Sequence, residues 1–156
     1  MMCTMCDPEF YAGDYYVKNC TDQTFTLRYP CLSPYSPNRT ITPGDSINVG
    51  GVSVQSKGKP YFDLWIQGEV ARNGENISLE IRSTEPFEES SENSVLLKKW
   101  NYLDRSLPGR QFFSESFWRH YSTFIDEGGF VTITDVWVFE ILPEDIALTD
   151  RGFFIP

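Results

Sequence analysis

Four cysteines, a single histidine, 22 carboxylates and four tryptophans are the side chains of this 156-residue sequence that could do chemistry. Cys3 and Cys6 open the chain in Met1-Met2-Cys3-Thr4-Met5-Cys6-Asp7-Pro8. A cysteine just ahead of a polar tether is what a bacterial lipoprotein presents once its signal peptide is gone. The thiol of Cys3 or Cys6 is therefore a candidate for lipid attachment, although methionines rather than small residues precede both. No apolar stretch stands ahead of them to form a complete signal peptide. The C-x-x-C spacing also suits a redox pair or half of a zinc site. A redox pair belongs at a strand-to-helix turn of a βαβ unit, and zinc needs a second close pair. Cys20 and Cys31 stand eleven positions apart and do not supply one. Read as a hairpin, Tyr15–Asn19 and Thr24–Tyr29 put Cys20 at the turn and Cys31 past the open end, roughly 20 Å away at about 3.3 Å per residue. That excludes a Cys20–Cys31 disulfide and leaves Cys6 as the cysteine within reach of Cys31.

His120 is the one imidazole that could serve as a base. Nucleophilic catalysis would need a serine or cysteine beside it and a third group to orient it, and no G-x-S-x-G surrounds a serine here. Flanked by Arg119 and Tyr121, His120 reads as a polar cross-strand residue. Among the carboxylates, Asp63, Glu80, Asp135 and Glu140 fall within predicted strands, where a buried pair could work as a glycosidase acid and base. Strand carboxylates usually face water, and Asp135 reads as a bulge or solvated position. Glu85, Glu88, Glu89 and Glu92 lack the spacing and the glycine of a calcium loop, so they read as solvated. No catalytic, metal or cofactor site is expected.

The tryptophans carry a different chemistry, since a flat indole with a polar rim can stack on a sugar ring. Trp137 shares parity with Val131, Ile133, Phe139 and Ile141 and reads as core. Trp65 falls opposite Phe62, Leu64 and Ile66, and Trp118 shares a face with His120, Ser122 and Phe124. Trp65 and Trp118 are therefore the candidates for an exposed ligand-binding plate.

Strands have to position these residues. Phe25, Leu27 and Tyr29 alternate with Thr24, Thr26 and Arg28, and Ile77–Arg82 is the cleanest alternation in the chain. Further strands are predicted at Tyr15–Asn19, Asp45–Val49 (ended by Gly50-Gly51), Tyr61–Ile66 and Val95–Trp100. Pro30, Pro34, Pro37 and Pro43 interrupt the segment between the second and third strands. Phe117–Ile125 and Phe130–Leu142 flank Asp126-Glu127-Gly128-Gly129 as a long hairpin. Asn73-Gly74 and Leu107-Pro108-Gly109 read as turns, and the acidic Glu85–Ser94 as an exposed loop. The fold expected is all-β: a single antiparallel β-sandwich, immunoglobulin-like or related, of about 7–9 strands. Residues 1–14 form a tether, 15–148 the sandwich and 149–156 a tail whose Arg151-Gly152-Phe153-Phe154-Ile155-Pro156 could dock on a neighbour or on its own sheet. With 40% hydrophobic and 15% aromatic residues, the apolar content sits in large side chains suited to such a core.

Thirteen basic residues against 22 acidic ones leave a net charge of −9, which repels phosphate backbones and excludes nucleic-acid binding. No apolar run approaches the ~18 residues that span a bilayer, so membrane attachment would run only through a lipid anchor.

The order of residues resembles small Bacteroidetes lipoproteins of unknown activity. Tyr16-Val17-Lys18-Asn19-Cys20-Thr21 looks like their first strand and Thr40-Ile41-Thr42-Pro43-Gly44-Asp45 like their Pro-Gly turn. Trp100, then Gly109 to Glu115 with Phe117-Trp118, is similar to their central aromatic region, and Trp137 to Ile146 to their closing strand. The resemblance implies a lipid-anchored, immunoglobulin-like sandwich of the cell envelope and offers no catalytic residues. The expectation is a non-enzymatic module that binds a glycan or an envelope protein. Two alternatives are a structural subunit of a surface complex, marked by an uncovered strand edge, and a carboxylate-dependent glycoside hydrolase.

Overall fold

A computed structural model describes residues 9–30, 38–55, 62–83 and 95–146. Eight strands form two packed four-stranded sheets, an all-β sandwich. The strands are β1 (Glu9–Asn19), β2 (Phe25–Arg28), β3 (Asn38–Ile41), β4 (Ser46–Gln55), β5 (Ser78–Ser83), β6 (Leu96–Asn101), β7 (Arg119–Glu127) and β8 (Phe130–Ile141), with a three-turn helix, α1 (Phe62–Asn73), between β4 and β5. One sheet runs β4-β1-β8-β7 and the other β3-β2-β5-β6. The second sheet is antiparallel throughout. The first departs from the antiparallel expectation at its centre, where β1 and β8 pair in parallel from Glu9↔Val131 to Asn19↔Ile141. The first and last of the described strands meet there only through the tertiary fold, a pairing that no local pattern encodes.

Period-two alternation buries Phe25 and Leu27 of β2 and Leu79 and Ile81 of β5 against Tyr15, Val17, Trp137, Phe139 and Ile141 of the opposite sheet. Two predicted boundaries shift. β1 begins at Glu9, so the end of the expected tether is sheet. β4 runs through Gly50-Gly51 rather than ending there, with a register shift opposite Tyr15/Tyr16. β3 also forms inside the proline-flanked segment. The predicted hairpin of the first two strands does not exist, because β1 and β2 lie in different sheets. Without that hairpin, the roughly 20 Å separation of Cys20 and Cys31 no longer follows. Cys20 carries a free thiol. Cys3, Cys6, Cys31, the Glu85–Ser94 loop and the 149–156 tail lie outside the described residues.

Of the segment predicted as a strand over Tyr61–Ile66, the described part, Phe62–Ile66, is the start of α1. Phe62, Trp65, Ile66 and Glu69 are its buried residues, a spacing that follows one helical face. Asp63 lies in the first turn and Arg72 in the last, each suited to the helix dipole. The helix ends where Gly74 takes φ 90° and its N–H bonds Val70 O at 2.8 Å. The turn read at Asn73-Gly74 is thus the stop of a helix.

Asn19 joins the two sheets at the crossing from β1 to β2. Its side chain is fully buried; Nδ2 donates to Gln23 O at 2.7 Å and Ile41 O at 3.2 Å, while Oδ1 accepts from Thr21 N–H at 2.9 Å and Thr21 Oγ1 at 2.7 Å.

Candidate functional site

Across the β4-β1-β8-β7 sheet, one row of partners reads Gly50, Tyr15, Trp137, His120. Their rings stand side by side. Tyr15 stacks on Trp137 at 5.0 Å with 13° between planes, and Trp137 on His120 at 4.3 Å with 5°. On the other side of Tyr15, Trp65 of α1 stacks at 4.2 Å and 13°. It fills the place that a β4 side chain would take, and Gly50 leaves that place open. A Cβ on Gly50 would collide with Trp65 Nε1 and lie 3.1 Å from its Cε2. Trp118 meets the column edge-on, 5.6 Å from Trp65, and its indole N–H donates to Phe112 O at 2.6 Å.

The two tryptophans expected on the surface are therefore core: Trp65 is 1% exposed and Trp118 7%. Helical rather than strand geometry turns Trp65 inward. Trp118 lies at the end of a 3-10 turn, Glu115–Phe117, just before β7 begins, so β-parity does not apply to it. Neither offers a plate to a ligand.

Burial, followed by the Asp135, Glu115 and Asp14 carboxylates, holds the Tyr15 phenol well above its ordinary range. Because the folded value lies above the unfolded one near ~10, the unfolded chain loses this proton first as pH rises. The stabilisation is complete below that point and is lost above it. Denaturation midpoints should fall beyond pH 10, and that fall should be shallower in Tyr15→Phe. Equal alkaline slopes for the two proteins would refute the assignment.

At the outer end of the column, the structure brings together the residue types of a hydrolase triad. Asp135 is 2% exposed, not solvated as its sequence position suggested. It lies opposite Ser122, whose Oγ donates to Oδ1, and His120 Nε2 approaches the same oxygen at 3.2 Å. A triad needs the imidazole between hydroxyl and carboxylate, so that the ring can take the serine proton. Here the carboxylate stands between the other two, and Ser122 gives its hydrogen bond to Asp135 instead of to His120. The cluster ties β7 to β8 and leaves the serine unactivated.

The other strand carboxylates are not paired for catalysis. Glu80 meets Arg82 at 2.8 Å, with Arg28 and Lys99 further off, Glu140 meets Arg119 at 2.8 Å, and Asp63 is exposed on α1. Burial, with a contribution from Glu140, raises the Cys20 thiol above its usual range, which disfavours a reactive thiolate.

At one end of the sandwich, a cleft of about 390 Å³ opens between β6, the loop after it and the helical turn at 143–146. Lys98, Lys99, Asn101, Asp104 and Glu144 line it together with the apolar Trp100, Leu107 and Pro108, and Arg110 is fixed there by Asp145 at 2.9 Å. Its volume lies within the roughly 300–1,000 Å³ of small-molecule sites.

The four outer edges of the sheets differ more than any cleft. β4 carries Gly50-Gly51 and a register shift. β3 has only four residues. β6 presents Lys98 and Lys99 and has its own register shift against β5. Short length, lysines and bulges are the usual protections of an edge. β7 has none of these: nine residues, Arg119–Glu127, pair with β8 in unbroken register and hold no Lys, Pro or Gly. Every one is exposed, including Tyr121, Phe124 and Ile125, and no strand covers the outer edge among the described residues.

The hairpin turn determines which backbone groups that edge offers. Gly128 and Gly129 have φ 66° and 88°, the double positive φ of a two-residue type I′ turn closed by Glu127↔Phe130. The closing pair of such a turn is hydrogen-bonded, and pairs alternate from it. The N–H and C=O groups of His120, Ser122, Phe124 and Asp126 therefore point outward, away from β8. Residue-by-residue reading placed this strand but not its bareness. The signal was the lysine-free, proline-free run itself.

Among the described residues, no group of three or more His, Cys, Asp or Glu side chains could hold a metal ion. In comparisons with protein families, curated proteins and solved structures, nothing matches this chain.

Proposed function

We propose that the protein is a non-enzymatic binding module that takes up an extended polypeptide segment by strand addition along β7. The observation that supports this reading is the edge left bare among the described residues, continuous over nine positions and exposed on both faces. Main-chain hydrogen bonds from the outward groups would give affinity, and Tyr121, Phe124 and Ile125 would contact alternate side chains of the added strand. The non-enzymatic part rests on the order of the Ser122–Asp135–His120 contacts. A second reading, favoured by the cleft where Asn101 and Asp104 stand beside Trp100, Leu107 and Pro108, is a small neutral ligand such as a sugar.

Selection of a random peptide library on the full chain tests both. Peptides should be recovered whose binding falls at least about tenfold on Phe124→Pro, which removes an outward N–H while sparing the β7–β8 ladder. Peptides indifferent to Phe124→Pro would overturn the edge reading. Binding confined to a glycan array and lost on Asn101→Ala would move the site to the cleft.

A further inference from the structure

The charge along β7 is polar in a way that selects its occupant. The strand starts with Arg119 and His120 and ends with Asp126 and Glu127, with Tyr121 and Ile125 symmetrically between. An antiparallel copy centred on Thr123 sets Arg119 against Glu127, His120 against Asp126 and Tyr121 against Ile125, and the two-fold axis repeats each pair. We propose that the segment that β7 takes up is β7 of a second copy of this chain, giving a two-fold dimer with one continuous eight-stranded sheet. This rests on the strand-addition reading and names its partner.

The backbone permits this register. Hydrogen-bonded pairs across the new ladder must join residues whose groups point outward on both strands. Centring on Thr123 pairs His120 with Asp126 and Ser122 with Phe124, all outward. It leaves Arg119–Glu127 and Tyr121–Ile125 as the closer non-hydrogen-bonded pairs, where side chains approach best. Moving the centre to Ser122 or Phe124 keeps the backbone bonds but shortens the overlap and sets Arg119 against Ile125 or Tyr121 against Glu127. A parallel copy would place like charges together at both ends. The contact is isologous, so it closes at two copies and does not propagate through β7. Arg119 already meets Glu140 of its own chain at 2.8 Å and is still largely exposed, with a forked guanidinium that can serve two carboxylates. The net charge of −9 opposes association, and near-physiological salt screens that repulsion beyond about 8 Å.

Sedimentation equilibrium of the full chain at physiological salt, over rising protein concentration, is the test. A reversible monomer–dimer equilibrium is expected. Glu127→Arg and Arg119→Glu should each weaken it by about tenfold or more. The double variant Arg119→Glu/Glu127→Arg should restore most of the loss, because each pair is rebuilt with its signs exchanged. Thermal melts of the same variants show that the chain stays folded. A strictly monomeric wild type overturns the dimer and leaves the peptide-binding reading to the library experiment. A dimer indifferent to both charge reversals and to Phe124→Pro overturns the use of β7 altogether.

Discussion

Gly50→Val is expected to destabilise the protein by about 3 kcal/mol, the upper range for overpacking a core, read as a lowered midpoint of urea unfolding. The backbone at Gly50 does not call for glycine; the space above it does. A side chain there would meet the Trp65 indole, whose nearest atoms lie within contact distance of the ideal Cβ. Trp65 has nowhere to retreat. Tyr15 stacks on one face at 4.2 Å, and Phe62, Trp118 and Phe112 meet it edge-on within 6.3 Å. Either the indole leaves the column or β4 moves away from β1. Burying an indole removes roughly 150–250 Å² from water, on the order of 4–6 kcal/mol at ~25 cal/mol/Å², so the strand should give way before the ring is expelled. The mechanism is specific enough to be tested by a double-mutant cycle. Trp65→Ala alone should cost about 3–5 kcal/mol. In that background Gly50→Val should cost far less than in the wild type, because the valine then enters the space the indole left. A valine as costly without Trp65 as with it would show that Gly50 serves some other need.

Asn19→Ala should cost about 3 kcal/mol, since each buried group left without its partner is worth about 1–3. The change removes the amide's bonds to Gln23 O and Ile41 O and its acceptor for the Thr21 N–H and hydroxyl, leaving the hydroxyl only its contacts with Gln23 O at 3.2 Å and Gln23 N–H at 3.1 Å, at the point where the chain passes from one sheet to the other. Asn19→Asp separates hydrogen-bonding from packing. A carboxylate can still accept from Thr21 but faces two carbonyl oxygens to which it cannot donate. Its folded pKa should therefore lie above its unfolded value near ~3.9. Stability relative to wild type should be best in acid and decline as pH rises to neutrality. Asn19→Asp as stable as wild type at pH 7 would remove Asn19 from this role. The burial also keeps Asn19, which matches the glycosylation sequon as Asn19-Cys20-Thr21, inaccessible to a glycosyl donor in the folded state.

Most strands were legible because one face of each is buried and the other is not. The Phe25/Leu27 and Leu79/Ile81 alternations are buried as predicted, and Gly128-Gly129 between two β-rich runs identified the hairpin that became β7 and β8. The same logic failed at Phe62–Ile66, where a few residues satisfy period two and period 3.6 equally. The rest of α1 settles the matter through Trp65, Ile66 and Glu69, and through Gly74 as its stop. At Asp135 polarity does not mean exposure. Its carboxylate is buried where His120 and Ser122 supply hydrogen bonds.

Period, turn chemistry, the poverty of helix and the acidic balance are local or summed properties, and each could be read from the residues in order. Sheet membership, the parallel union of β1 with β8, the ring column from Trp65 to His120 and the bareness of β7 are properties of pairs far apart along the chain. Local alternation says that a strand has a buried face but not which strand lies beside it. That choice is made when the whole set of large side chains is packed at once, with Gly50 leaving the room in which Trp65 fits.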